Sequence, residues 1–254
     1  MKGITPSAGY GPFGLDGKVV LVTGASSGIG YQIARSCALA GALVIASGRD
    51  EGRLKALMAE LPGLGHRAIP ADLSDDDSIK LLARQAGKVD GVAHSAGISR
   101  LAPLRLASRK HIEDQLRVNA VGPMLLTQQL LQLSGIQPGG SIVFISSISA
   151  HIGVHGVSAY SGSKAALEGM ARALSMEVMK RKIRVNCLAP GLVETPMLQA
   201  ARSTNGGLEE TFAQYPLGFG TPEDVANATI FFLSGASRWV TGTTLVLDGG
   251  HTVG

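Results

Sequence analysis

Seven short runs, rich in β-branched and other apolar residues, recur along the chain. Each is separated from the next by a segment with helical spacing. The runs are KVVLV (18–22), ALVIAS (42–47), HRAIPAD (66–72), a strand within VDGVAHSAG (89–97), SIVFISS (141–147), IRVNCLA (183–189) and TTLVLDGG (243–250). Helical patterns cover 29–41, 50–61, 74–86, 108–133, 158–180 and 222–234. The segment 74–86 opens on a serine cap with acids in its first turn, and Gly41 is a natural stop for the first helix. Apolar strands are buried on both faces, and strands parted by helices must connect by crossovers. The pattern therefore predicts an α/β fold: one Rossmann-type, doubly wound parallel sheet of about seven strands with helices on both faces.

At 254 residues, with 45% hydrophobic and 17% charged, the chain suffices for one large domain, expected over 18–254. Residues 1–17 are rich in Gly and Pro, lack an apolar signal core and read as a flexible lead-in. The stretch 192–220 has weaker regularity and follows the end of a strand, where ligands bind in open α/β sheets, so it reads as a substrate lid. No run of about 18 apolar residues is present, so no membrane partner is expected. The net charge is +4, and its densest cluster, KRKIR (180–184), reads as a helix C-terminus favoured by the helix dipole. No basic stripe with interleaved aromatics points to nucleic acid. Cys37 and Cys187 form no disulfide framework; they read as core residues in a reducing, cytoplasmic setting.

The first strand runs into TGASSGIG (23–30). Gly24, Gly28 and Gly30 permit a tight turn and a close backbone approach to a pyrophosphate, with the next helix aiming its free N–H groups at the charge. Between a first strand and a first helix, such a turn points to dinucleotide binding. Tyr160 and Lys164 stand one helical turn apart, either as a solvated surface pair or as an acid and the cation that tunes it. Ser147, at the end of its strand, is an ordinary strand-end capper or an oxyanion partner, with Ser146 and Ser149 as neighbouring alternatives. Asn119 within the long helix bonds to nearby backbone or serves the site.

TGASSGIG, HSAG (94–97), VNA (118–120), ISS (145–147), YSGSK (160–164) and APGLVETPM (189–197) occur in this order. From about residue 18 to 250 the chain thereby resembles the classical short-chain dehydrogenase/reductase family, and within it the 3-oxoacyl-acyl-carrier-protein reductases. The resemblance implies that Tyr160 is the general acid/base, with Lys164 lowering its pKa and holding the nicotinamide ribose. It implies that Ser147 binds the carbonyl oxygen and that Asn119 holds a water linking Lys164 to solvent. The cofactor contacts it implies are Gly24, Ser26, Ser27, Gly28, Ile29, Gly30, Asp72, Leu73, Ser95, Ala96, Gly97, Pro190, Gly191, Val193 and Thr195, with Tyr160 and Lys164. Relatives form tetramers, so a homotetramer is expected, a homodimer being the smaller alternative. Leu167, Met170, Leu174 and Val178 would face either the core or a partner.

The chain departs from the family pattern in three places. Ser95 replaces a usual asparagine, and the loop YPLGFGTPEDVA (215–226) is one residue short. Gly48 stands where an acid would bind a ribose 2′-hydroxyl, and Arg49 follows it. A guanidinium without that acid suits a 2′-phosphate, so NADP(H) is the expected cofactor, with NAD(H) as the alternative. Asp50 is read as a helix cap. His94 is read as a core histidine bonded to backbone, His151 and His155 as loop residues without a carboxylate partner, and no metal is expected. Arg100, Arg105, Arg109 and Lys110 offer a basic entrance that a carrier-linked substrate would favour. The expected activity is interconversion of a ketone and a secondary alcohol by hydride transfer, on a 3-oxoacyl thioester or, alternatively, a keto-sugar or polyol. A non-catalytic NADP(H)-binding regulator is the alternative of another class.

Overall fold

A computed structural model describes residues 11–202 and 213–253. Its strands are β1 (Val19–Thr23), β2 (Leu43–Gly48), β3 (Arg67–Pro70), β4 (Val89–His94), β5 (Ile136–Ile145), β6 (Arg184–Pro190) and β7 (Thr244–Leu247). All pair in parallel in one sheet ordered β3-β2-β1-β4-β5-β6-β7. The order reverses beside β1, between β1 and β4, which is where a doubly wound sheet opens a crevice at its carboxyl edge.

The helices are α1 (Gly28–Leu39), α2 (Glu51–Glu60), α3 (Asp76–Ala86), α4 (Arg109–Leu116), α5 (Gly122–Gln132), α6 (Ser158–Glu177), α7 (Pro196–Arg202) and α8 (Pro222–Leu233). Alternate residues of each strand feed two separate cores. On one face Val20, Val22, Val143 and Leu188 pack with Ile33 and Cys37 of α1 and Ile230 of α8. On the other, Leu21, Val92, Phe144 and Val185 pack with Leu82 of α3, Leu126 and Leu130 of α5 and Leu167 of α6. Leu174 and Val178 are buried in this second core and Met170 packs against it, so that stripe of α6 faces inward and not toward a partner. Both cysteines are buried and free.

Several local features differ from the sequence pattern. The helix expected over 108–133 is broken by a π turn at Arg117–Val121, in which the Gly122 N–H reaches five residues back to the Arg117 carbonyl. Gly122 permits this because a Cβ there would lie 2.5 Å from the Leu73 carbonyl oxygen. Asp75, not Ser74, caps α3 by accepting from Asp77 N–H. The last residues of the lead-in are docked: Leu15 is buried in the first core, and its N–H donates to Ala40 O at 2.7 Å. Residues 1–10, and 203–212 of the expected lid, lie outside the described residues. Among the described residues no helix is long and apolar enough to cross a membrane.

The basic cluster begins at the C-terminal end of α6, as expected, and two of its members also find particular partners. Lys180 and Arg181 lie in a 3₁₀ turn after α6, and Arg181 donates to Ile136 O. Arg184, in β6, caps a different helix: its guanidinium donates to Phe232 O at 2.6 Å and Ser234 O at 3.1 Å, where α8 ends, and to Ser237 Oγ. A cation at a helix C-terminus satisfies carbonyls that have no intrahelical donor. Phe232 O also accepts from Ser141 and Ser237, so Arg184→Leu chiefly strips Ser234 O of its donor and should cost about 1–3 kcal/mol. Urea unfolding of wild type and variant, read as the shift in midpoint at constant slope, measures it.

Candidate active site

The carboxyl edge of the sheet gathers nearly all the residues singled out by the motifs. Gly24 ends β1 at φ +69°, and a Cβ there would sit 2.7 Å from the Ala96 backbone. A Cβ on Gly30 would sit 2.3 Å from the Gly24 carbonyl oxygen. These two glycines let the β1–α1 turn, the first turn of α1 and the segment after β4 touch backbone to backbone. Gly28, at φ +56°, starts α1 with Thr195 close by, where a Cβ would meet its methyl at 3.5 Å. Ser27 is the N-cap of α1, yet its hydroxyl makes no capping bond, and Ile29 behind it is half-buried. The first N–H groups of α1 and the Ser27 hydroxyl are thus left for an anion.

At the end of β2, Ser26 lies against Gly48, whose added Cβ would be 3.1 Å from Ser26 Oγ. Arg49 follows and is exposed, while Asp50 caps α2 by accepting from Arg53 N–H at 2.9 Å. Asp72 accepts from Ser74 N–H and Oγ, both through Oδ1. Burial alone would raise that carboxyl, but the two Ser74 bonds and the Arg49 charge outweigh it and hold it below the usual range. Leu73 backs onto Gly122, and Ser95 is half-buried. Ala96 N–H donates to Thr23 Oγ1 at 3.3 Å. Across the crevice, Pro190 ends β6, Gly191 N–H donates to Leu247 O, and Val193 bridges to Gly220.

Ser147, Tyr160 and Lys164 converge where β5 ends against α6. Ser147 Oγ accepts from Ser149 N–H at 3.2 Å and stands beside the Tyr160 hydroxyl, where it favours the ionised phenol. Lys164 is 5% exposed; its Nζ donates to Ile145 O at 2.8 Å and lies 5.6 Å from the Tyr160 ring centre. The expected lowering of the phenol by Lys164 is not what the structure has. Burial pushes Tyr160 up, and the Ser147 hydroxyl opposes this only in part. The lysine is the group that moves down, to about 8, because its ammonium is desolvated without a carboxylate beside it.

Asn119 sits in the π turn and is fully buried. Its amide donates to Ile98 O at 2.9 Å and to Ser163 Oγ at 3.0 Å, and accepts from Ile98 N–H at 2.8 Å. Ser163 passes its own proton to the Tyr160 carbonyl at 2.6 Å. The side chain therefore ties the segment after β4 to α6. Between them lies Gly97, where a Cβ would meet Asn119 Oδ1 at 3.3 Å and Lys164 Nζ at 3.4 Å.

Sequence patterns missed Glu168, two turns beyond Tyr160 on α6. It is 6% exposed and accepts from Ser146 Oγ at 2.7 Å. It also pairs with His151 at 3.0 Å, so His151 does have a carboxylate partner. The i, i+4, i+8 series Tyr160, Lys164, Glu168 was the available signal. His94 is buried, stacked on Phe144, and bonded to the Thr127 hydroxyl rather than to backbone. The basic entrance is halved, not removed: Arg100 and Lys110 share Asp114 and Arg109 pairs with Glu113. Among the described residues no cluster of His, Cys, Asp or Glu is arranged to hold a metal ion.

The buried ammonium predicts a pH dependence of stability. Lys164 falls from 10.5 to about 8 on folding, so between those values the unfolded chain holds more protons. The penalty is present in full below pH 8 and vanishes as pH rises through 10.5. It amounts to about 3 kcal/mol, at 1.36 kcal/mol per unit. Lys164→Met should be more stable than wild type at pH 7, less the lost bond to Ile145 O, and the advantage should shrink toward pH 10.5. Unfolding free energies at pH 7, 8.5 and 10 check this.

Comparison with known proteins agrees with this architecture. The family model described as enoyl-(acyl carrier protein) reductase matches residues 24–252. A 3-oxoacyl-[acyl-carrier-protein] reductase of Thermotoga maritima is 36% identical over 246 residues, covering 94% of this chain and 99% of the relative. A D-threitol dehydrogenase of Mycolicibacterium smegmatis is 34% identical, covering 95% of each. A crystal structure from Beutenbergia cavernae, assigned as an NAD(P)-dependent gluconate 5-dehydrogenase with NADP at low occupancy, superposes with a TM-score of 0.87 at 35% identity, covering 96% of this chain and all of the other. Sequence, fold and site agree that this chain belongs to the short-chain dehydrogenase/reductase family of oxidoreductases.

Proposed function

We propose that the chain interconverts a ketone and a secondary alcohol with NADP(H), through Tyr160, Ser147, Lys164 and Asn119. The convergence of Ser147, Tyr160 and Lys164 where β5 ends against α6 carries this reading. Ser149 N–H fills one lone pair of Ser147 Oγ, so the serine proton is left to donate to a carbonyl oxygen or a phenolate. Tyr160 hands its proton to the same oxygen. The raised phenol stays protonated at neutral pH, which suits the reducing direction. Lys164, brought down to about 8, exchanges a proton near neutrality far more readily than a free lysine. The Asn119 side chain is spent on Ile98 and Ser163, so a water relay falls to its backbone carbonyl. Pro123, four residues on, has no N–H to occupy that oxygen.

The residues fit a dinucleotide. Gly24 and Gly30 lie where a Cβ would fill the cradle, and the first N–H groups of α1 would hold the pyrophosphate. Arg49, Ser26 and Ser27 would hold a 2′-phosphate, since Gly48 offers no competing carboxylate and Asp50 is committed to α2. Asp72 keeps Oδ2 for the adenine amino group. Leu73, Ser95, Ala96 and Gly97 wall the adenine-ribose side; Pro190, Gly191, Val193 and Thr195 wall the nicotinamide side. When bound, the dihydronicotinamide supplies the hydride. The NADP seen in the Beutenbergia cavernae structure supports the same cofactor here.

On the substrate, the relatives point two ways, to 3-oxoacyl thioesters and to polyols. All four site residues are present, which leaves a non-catalytic regulator with little support. The two free, buried cysteines support a cytoplasmic setting. Trp239, 90% exposed, and the exposed Leu245 and Val246 of β7 support a homotetramer or homodimer closing over this sheet edge.

Tyr160→Phe should lower kcat by roughly 10² or more while NADPH binding stays within a few-fold of wild type. Near-wild-type turnover across 3-oxoacyl thioesters and keto-sugars would sink the assignment of Tyr160. Arg49→Asp should lower the NADPH over NADH preference, read as kcat/KM for each cofactor, by roughly tenfold to a hundredfold. A wild type that already prefers NADH, or an unmoved ratio, removes Arg49 from the phosphate site.

A further inference from the structure

Glu168 is a buried carboxylate to which none of the steps above gives a part. One of its oxygens, Oε1, takes two partners, Ser146 Oγ at 2.7 Å and His151 Nε2 at 3.0 Å. Those partners bracket the 3₁₀ turn Ile148–Ala150 and Ser147 itself. Ser146 is fixed to the sheet by its N–H on Leu188 O, and His151 closes the turn with its N–H on Ile148 O. The carboxylate thus staples both ends of the segment carrying Ser147 onto α6, the helix that carries Tyr160 and Lys164.

We propose that Glu168 is a positioning residue, holding Ser147 in register with Tyr160 by clamping Ser146 and His151 to the helix they share. This rests on the oxidoreductase reading. A buried charge is a poor choice for stability alone, since an apolar side chain of similar volume does as well or better. It is a good choice for geometry, because one oxygen can fix two donors at once. Catalytic groups need their positions held to about half an ångström, which packing of the short Ser147–Ala150 turn does not supply by itself. The Ser146 hydroxyl also lies 3.2 Å from the Lys164 carbonyl, so it has a second acceptor to turn to if Glu168 is removed. The Cys187 thiol of β6 also feels the carboxylate.

The test compares Glu168→Gln with Glu168→Leu. The amide keeps an oxygen that accepts from Ser146 and stands beside His151, so Glu168→Gln should retain kcat within about threefold of wild type. Glu168→Leu removes the clamp, and kcat should fall at least about tenfold, with the NADPH dissociation constant unchanged within about twofold. A second readout does not need turnover. Alkaline absorbance titration of the tyrosines, with Tyr160→Phe to assign the signal, should show Tyr160 shifted further upward in Glu168→Leu as the Ser147 hydroxyl moves away from the phenol. If wild type turns over no ketone, the functional reading fails while the titration still judges the clamp. Wild-type kcat in Glu168→Leu, an unmoved Tyr160, or Glu168→Gln as impaired as Glu168→Leu would overturn the proposal. Should Glu168→Leu not fold, Ser146→Ala and His151→Gln replace it; each should lower kcat, and the double variant should lose less than the product of the two. Wild-type kcat in both single variants overturns it.

Discussion

Everything at the carboxyl edge of the sheet depends on how closely three backbone segments approach one another. Gly24 touches Ala96, and Gly30 touches Gly24, at distances that leave no volume for a single methyl. That approach is possible because β1 and β4 are hydrogen-bonded neighbours, so the loops leaving them start about one strand spacing apart. Once those loops are in contact, Gly97 falls beside Lys164 and Asn119, and the first turn of α1 falls beside Thr195. The crevice is therefore set by backbone contact, and side chains only furnish it.

The furnishing is costly where it matters. α6 buries an ammonium and a carboxylate on one face, and neither is neutralised by the other. Lys164 leans on a backbone carbonyl, Glu168 on a serine and a histidine. Two apolar cores, one on each face of the sheet, supply the stability that offsets these groups. Function sits on the element that the fold can least easily stabilise by itself, a pattern common to active sites.

The strands, their parallel pairing and the gathering of the motif residues at one edge were legible because apolar runs and glycine turns are local signals, and a parallel sheet brings all its strand ends to one edge. Asp50 as a cap was legible for the same reason. What could not be read depended on distant partners. His151 meets Glu168 only because the turn after β5 folds back onto α6, and Arg184 finds the end of α8 from 48 residues away. The direction of the Tyr160 shift was misread because spacing on a helix gives proximity, not burial or the aim of a lysine already satisfied by Ile145. Salt bridges that halve the charge of a basic rim are likewise invisible in a count of charges.

The π turn at Arg117–Val121 amounts to one residue more than a regular helix would need there. Each residue of an α-helix advances its faces by about 100°. Deleting one residue to make α4 and α5 continuous would swing Leu126 and Leu130 about a quarter-turn out of the second core, and would carry Gly122 away from the Leu73 carbonyl. The irregularity that turns Asn119 inward is thereby locked in by packing elsewhere in α5. A descendant of this chain could lose the asparagine and its chemistry by a single substitution, yet still keep the turn, as a scar recording what the helix was once shaped to hold.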